Sequence, residues 1–195
     1  MLIEVDTGRK AGLFTKSPAY MRAILSMPET ATDTALLFFR GSPGISRIKS
    51  AAGKNRNLIP FLRANQNLVL KAGIALVVMD CPTDEWGVEG FTPTACLDSY
   101  RSSKQHADDV RAIMARLKTE HGITKFYIFG HSFGTLSSRW LAKHLGNEIA
   151  GSIHSAAMNV PNKSGHGSSM PGFDYQSISA PQVHVHHAAD ACSGT

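Results

Sequence analysis

The chain has 195 residues, 43% of them hydrophobic and 18% charged, with a net charge of +5 at pH 7. That length holds one domain with a substantial core, and the positive charge is mild and scattered, with no basic run interleaved with aromatic residues, which speaks against a nucleic-acid role. No stretch reaches the length of a membrane span and the amino-terminal region lacks the basic-then-apolar pattern of a signal peptide, so a cytoplasmic protein is expected.

Three cysteines, Cys81, Cys96 and Cys192, fit no zinc spacing, and their odd number argues against a closed disulfide framework. Free thiols are the favoured reading, with a Cys81–Cys96 pair as the alternative for an exported protein.

In chain order, residues 2–6 and 11–15 flank Thr7-Gly8-Arg9-Lys10 and predict a short hairpin or edge strands. Residues 16–33, with Pro18 and Pro28, read as a connection of unsettled helical content. Residues 34–39 are a continuous apolar run, the mark of a strand buried on both faces as in a parallel sheet. It opens into Arg40-Gly41-Ser42-Pro43-Gly44. Such a loop either is a plain turn or turns backbone N–H groups toward a cleft, with Ser42 first and Gly41 next as the donors. Apolar residues from Leu58 to Leu70 predict a helix over 57–71, with Pro60 in its first turn and Gly73 as its stop. Residues 74–79 predict a second buried strand. Asp80 at its end either lines the functional edge or, more commonly for such a residue, caps the next turn.

Residues 83–101 are expected to be a long irregular loop walling a pocket. Ser102-x-x-Gln105 reads as a capping box, and Ala107, Val110, Ile113, Met114 and Leu117 form the apolar stripe of a helix ending near His121-Gly122. Lys125 to Phe129 is the next strand, and it runs into Gly130-His131-Ser132-Phe133-Gly134 followed by a helical pattern closed by Gly146-Asn147. A serine at the apex of a strand-to-helix turn sits in strained backbone, and the positions two before and two after must be tiny for strand and helix to approach. Ser132 is therefore the candidate nucleophile, with the Phe133 N–H and the start of the following helix offering positive charge to a developing oxyanion.

Residues 149–156 predict a further strand on which His154 is a packed histidine. Residues 157–180, rich in Gly, Ser, Pro and Asn, leave no room for a separate cap domain. Residues 181–187 predict a last strand with His184 and His186 on one face. Alternation separates His187 from that pair and no carboxylate cluster lies near in sequence, so no metal is expected; no cofactor is expected either. Asp190 stands just past that strand, at the sheet edge where Ser132 must also lie.

The alternation of apolar strands and helices predicts an α/β chain, a doubly wound, mostly parallel sheet with helices on both faces. The succession of strand, Arg40–Gly44 loop, helix, strand, helix, Gly130–Gly134 elbow, helix, strand, strand and Asp190 resembles the α/β-hydrolase superfamily over residues 34–190, and the run from Val185 to Cys192 is similar to the acid-bearing strand of lysophospholipase-like and dienelactone-hydrolase-like members. The resemblance implies Ser132 as nucleophile, Asp190 as triad acid, and the N–H groups of Phe133 and Ser42 as the oxyanion hole of a carboxylic ester hydrolase acting on a small-molecule ester. It also implies a histidine beyond Asp190, by the family order of serine, acid, histidine. Only Ala191-Cys192-Ser193-Gly194-Thr195 follow. Residues 1–195 are thus expected to be one hydrolase-like domain that is incomplete at its carboxyl end, lacking the last strand, helix and base. An upstream histidine, His187 or His166, in the base's role is a second reading, and a non-catalytic hydrolase-fold binding protein that needs a partner is a third.

Overall fold

The apolar runs become neighbouring strands of one sheet. The computed structural model describes residues 1–12, 16–49, 60–86, 95–159 and 172–189. Among them, β1 (Leu2–Ala11), β2 (Ser17–Ser26), β3 (Thr34–Phe39), β4 (Ala75–Met79), β5 (Lys125–His131), β6 (Gly151–Ser155) and β7 (Gln182–Val185) pair in the order β1-β2-β4-β3-β5-β6-β7. The strands β4, β3, β5, β6 and β7 are parallel, while β1 with β2, and β2 with β4, are antiparallel. A parallel sheet needs covering on both faces. Helix α1 (Pro60–Lys71) supplies one cover; α3 (Lys104–His121) and α4 (Thr135–Leu145) supply the other.

Strand alternation sorts the core into these two layers. Leu37, Val77 and Ile128 point to the layer holding Val110, Ile113 and Leu117 of α3 with Leu141 and Leu145 of α4. Leu36, Phe38, Leu76 and Val78 point to the layer holding Leu62 of α1, with Val69 and Leu70 packed against it. Each such buried side chain contributes about 1.5–3 kcal/mol of transfer free energy, which is what fixes the register.

Three local expectations are corrected. Residues 17–26 form a strand and not a connection of mixed character: Ala19, Met21, Ala23 and Leu25 alternate inward and are fully buried. Pro18 sits near its start, where a missing donor is tolerated. The irregular loop over 83–101 contains a 3-10 turn at Thr83–Glu85 and a short helix α2 (Asp98–Arg101); residues 87–94 lie outside the described part. The cap of α3 is Ser103, whose Oγ accepts the His106 N–H at 3.1 Å, and not Ser102. Ser102 has helical backbone as the end of α2, and its Oγ donates to the Asp98 carbonyl at 2.8 Å. Gly122, with φ of 67°, closes α3 in the left-handed conformation that an L side chain resists.

The amino-terminal hairpin is formed by β1 and β2, with residues 7–10 inside β1 and not at its turn as the sequence suggested, and it is tied to the rest by charge. Arg9 on β1 donates to both carboxylate oxygens of Asp109 on α3 at 2.8 Å and to Asp84 at 2.5 Å, and the Tyr100 hydroxyl donates to Asp109 at 2.7 Å. Asp109 and Tyr100 are buried, so each needs the other and Arg9 to remain satisfied.

Candidate active site

The carboxyl ends of β3 and β5 bring the Arg40–Gly44 loop beside the Gly130–Gly134 turn. Ser132 has φ of 53°, left-handed backbone for a residue that is not glycine. The turn is held by the Thr135 hydroxyl, which donates to the Ser132 carbonyl at 2.7 Å. The two glycines are required by contact: a Cβ on Gly130 would lie 2.5 Å from Ser138 Oγ and closer still to the Gly134 carbonyl, and one on Gly134 would lie 2.8 Å from the Arg40 carbonyl and closer to that of Phe39. Strand-turn-helix geometry therefore accounts for the Gly-x-Ser-x-Gly spacing.

Gly41 adjoins the serine, since a Cβ there would stand 3.2 Å from Ser132 Cβ and 3.5 Å from its Oγ. Ser42 follows at the surface, with its N–H unbonded among the described residues, and Phe133 is buried behind the turn. The two stretches expected to carry oxyanion donors thus converge on one serine. Ser132 Oγ has no hydrogen-bond partner among the described residues, and its residue is half-buried.

Other sequence candidates fall elsewhere. Asp80 does not face the site: its carboxylate accepts the N–H groups of Ser46 at 2.7 Å, Ile48 at 2.7 Å and Cys81 at 2.9 Å, so it anchors the chain just after the Gly41–Gly44 loop. Burial raises its pKa, and those three bonds with nearby Arg40 work against the rise. His154 is packed as expected, with Nδ1 against Ser138 Oγ at 2.7 Å and Nε2 against Ser152 Oγ at 3.2 Å; burial depresses its pKa to about 3. His184 lies on β7 against the rings of His154 and Tyr175. His186 falls past the end of that strand, so the two do not share a strand face. His187 is exposed and its Nδ1 accepts the Ala189 N–H at 3.1 Å. None of the described histidines hydrogen-bonds Ser132. Asp190 and His166 lie outside the described residues.

Two features of the site had no reliable sign in the sequence. Cys81 and Cys96 form a disulfide, with Cα atoms 5.8 Å apart, which overturns the free-thiol reading: the end of β4 and the start of α2 meet beside the loop. Arg101, an apparently ordinary loop cation, is buried next to Phe133. Two cavities, of about 500 and 530 Å³, are lined by residues such as Met27, Asn67 and Leu70 near the amino-terminal end of β4, while Ser132 is at the carboxyl end of β5. Among the described residues no group of three or more His, Cys, Asp or Glu could hold a metal ion, and no helix is long and apolar enough to cross a membrane.

Comparison with known proteins agrees with this architecture. The family profile of the alpha/beta hydrolase fold matches residues 36–179. No curated protein matches the chain. Among solved structures, a serine hydrolase without a lid from Xanthomonas campestris is similar at a TM-score of 0.50 and 16% identity, over 97% of this chain and 72% of that one. An acylaminoacyl peptidase from Pyrococcus horikoshii is similar at 0.57 and 12%, over 95% and 31%. A probable hydrolytic enzyme from Pseudomonas aeruginosa PAO1 gives 0.48 and 16%, over 78% and 40%. The matched part of this chain thus spans under half the length of that last protein.

Proposed function

Since the chain belongs to the alpha/beta hydrolase fold family, we propose that it is a serine hydrolase that cleaves a small carboxylic ester through an acyl intermediate on Ser132. The observation that carries the proposal is the strained elbow, φ of 53° at Ser132, with the Gly41 loop packed against it. In this mechanism Ser132 Oγ attacks the acyl carbon and loses its proton to a base. The carbonyl oxygen becomes an oxyanion held by the N–H groups of Phe133 and Ser42, the alcohol leaves with a proton, and water releases the acid. Asp190 is assigned the acid's role by its place past β7. Within residues 1–195 the histidines to be tried first in the base's role are His187 and His166.

Hydrolysis of a short-chain p-nitrophenyl ester, beside Ser132→Ala, tests the proposal. Activity lost in the variant supports it, and His187→Ala and His166→Ala then identify the base. Equal rates from folded wild type and Ser132→Ala sink it in favour of a non-catalytic binding protein, a reading to which the lack of a hydrogen-bond partner for the Ser132 hydroxyl among the described residues lends weight. The cytoplasmic setting expected from sequence conflicts with the Cys81–Cys96 bond, since such bonds persist in oxidising compartments. Alkylation trapping of those two cysteines in cells decides between the two.

A further inference from the structure

We propose that Arg101 is a positioning residue that clamps the candidate oxyanion loop to the nucleophile turn. The proposal rests on the hydrolase reading above.

Arg101 is 2% exposed; the Asp98 carboxylate acts on it through the field and favours its charge, but no salt bridge to it is formed among the described residues. Burying a guanidinium is costly unless its donors are used, so what it touches is informative. Its Nε donates to the Cys96 carbonyl at 3.3 Å and its Nη1 to Ser137 Oγ at 3.0 Å, on the helix that begins at the elbow. The guanidinium carbon stands 5.1 Å from the ring centre of Phe133, the residue after the nucleophile. Its Nη2 packs on Gly44, where φ is 78° and an added Cβ would fall on the guanidinium and, at 3.1 Å, on Cys96 Cβ. The loop is held from the same side, because the Cys96 N–H donates to the Pro43 carbonyl at 2.9 Å and Cys96 is bonded to Cys81.

One cation therefore contacts three things that must keep a fixed relation for two N–H groups to converge on one oxygen. They are the loop after β3, the residue after Ser132, and the helix behind the elbow. Burial lowers the arginine's pKa to about 10, which leaves it charged at neutral pH. Since catalysis by an oxyanion hole depends on donors fixed before the reaction, loosening this clamp is expected to slow chemistry at Ser132 while leaving reagent binding nearly unchanged.

The test compares wild type, Arg101→Met, Arg101→Lys and Ser137→Ala by two readouts. One is hydrogen exchange of the segment 41–46; the other is the rate of phosphonylation of Ser132 by a fluorophosphonate, resolved into a saturating rate constant and an apparent dissociation constant. Removing an oxyanion donor outright costs about 10² to 10³ in rate, so a clamp predicts a loss of at least about tenfold in the saturating rate for Arg101→Met, with the dissociation constant within about twofold. Faster exchange of 41–46 and partial recovery in Arg101→Lys are expected beside it. A folded Arg101→Met with unchanged rate and exchange overturns the proposal. Should that variant not fold, an unchanged rate in Ser137→Ala overturns it instead. A wild type that does not label at all overturns the hydrolase reading, and exchange then judges the clamp separately: unchanged in Arg101→Met, it fails too.

Discussion

At Ser132 the backbone carries the strain and the glycines around it carry the cost of close packing. Gly134→Ala would drive a Cβ into the backbone carbonyls of Phe39 and Arg40, which cannot rotate aside, so a loss of about 3 kcal/mol or more in urea unfolding is expected. His106 offers a second test. It lies between the rings of Phe39 and Tyr100, with both ring nitrogens unpaired among the described residues, and burial chiefly lowers its pKa to about 3. Below about pH 6.5 the unfolded chain takes up a proton that the folded chain refuses, so stability falls with falling pH by about 1.4 kcal/mol per unit for this group. His154 acts in the same sense. Asp80, with its raised pKa, opposes them in the carboxylate range. His106→Phe is expected to flatten the dependence of unfolding free energy on pH between about 6 and 5; an unchanged slope would show that His106 is charged in the folded state. The residue types at the elbow were legible in the sequence because sterics allow only glycine there. The burial of Arg101 and His106 was not, since each is decided by residues far away in the chain.

Among the elements, the strands with continuous apolar runs were read almost to the residue, since burial on both faces leaves no other use for six apolar residues in a row. β2 was missed because two prolines in residues 16–33 outweighed its alternation. The loop between β4 and α3 was read as a pocket wall, yet its described ends are a turn and a short helix stapled by Cys81–Cys96. With 15 residues of sequence separation, the chain-entropy effect of that bond is about 3 kcal/mol. Cys81→Ser with Cys96→Ser should lower stability by about that amount in the oxidised protein, and adding a reductant should lower wild type but not the variant; equal unfolding midpoints in all states would contradict the bond. The hairpin's tie to α3 is expected to matter less. Arg9→Met should cost about 2 kcal/mol by denaturant unfolding, below the 3–5 of a fully buried pair because Arg9 is one-quarter exposed.

At the scale of the whole molecule, the described sheet ends at β7. Val183 and Val185 of β7 are 54% and 49% exposed, and among the described residues no strand pairs with the outer edge of β7. Such an edge favours pairing between copies. Val183→Lys should reduce concentration-dependent self-association in light scattering, whereas identical behaviour would mean the edge is already covered. Fold class and most of the succession from β3 onward were legible from periodicity, whereas β2 and α2 were not. The completeness of the site was not, because the partners of a serine are brought to it by the fold from distant parts of the chain, and among the described residues no histidine hydrogen-bonds Ser132. Ser132 therefore carries the functional reading. Intact mass of the folded chain after treatment with a fluorophosphonate, with peptide mapping and Ser132→Ala as control, tests it directly. A single adduct on Ser132, absent from the variant, is expected; a folded wild type that takes up no adduct, or takes it up elsewhere, would contradict a nucleophilic serine at this elbow.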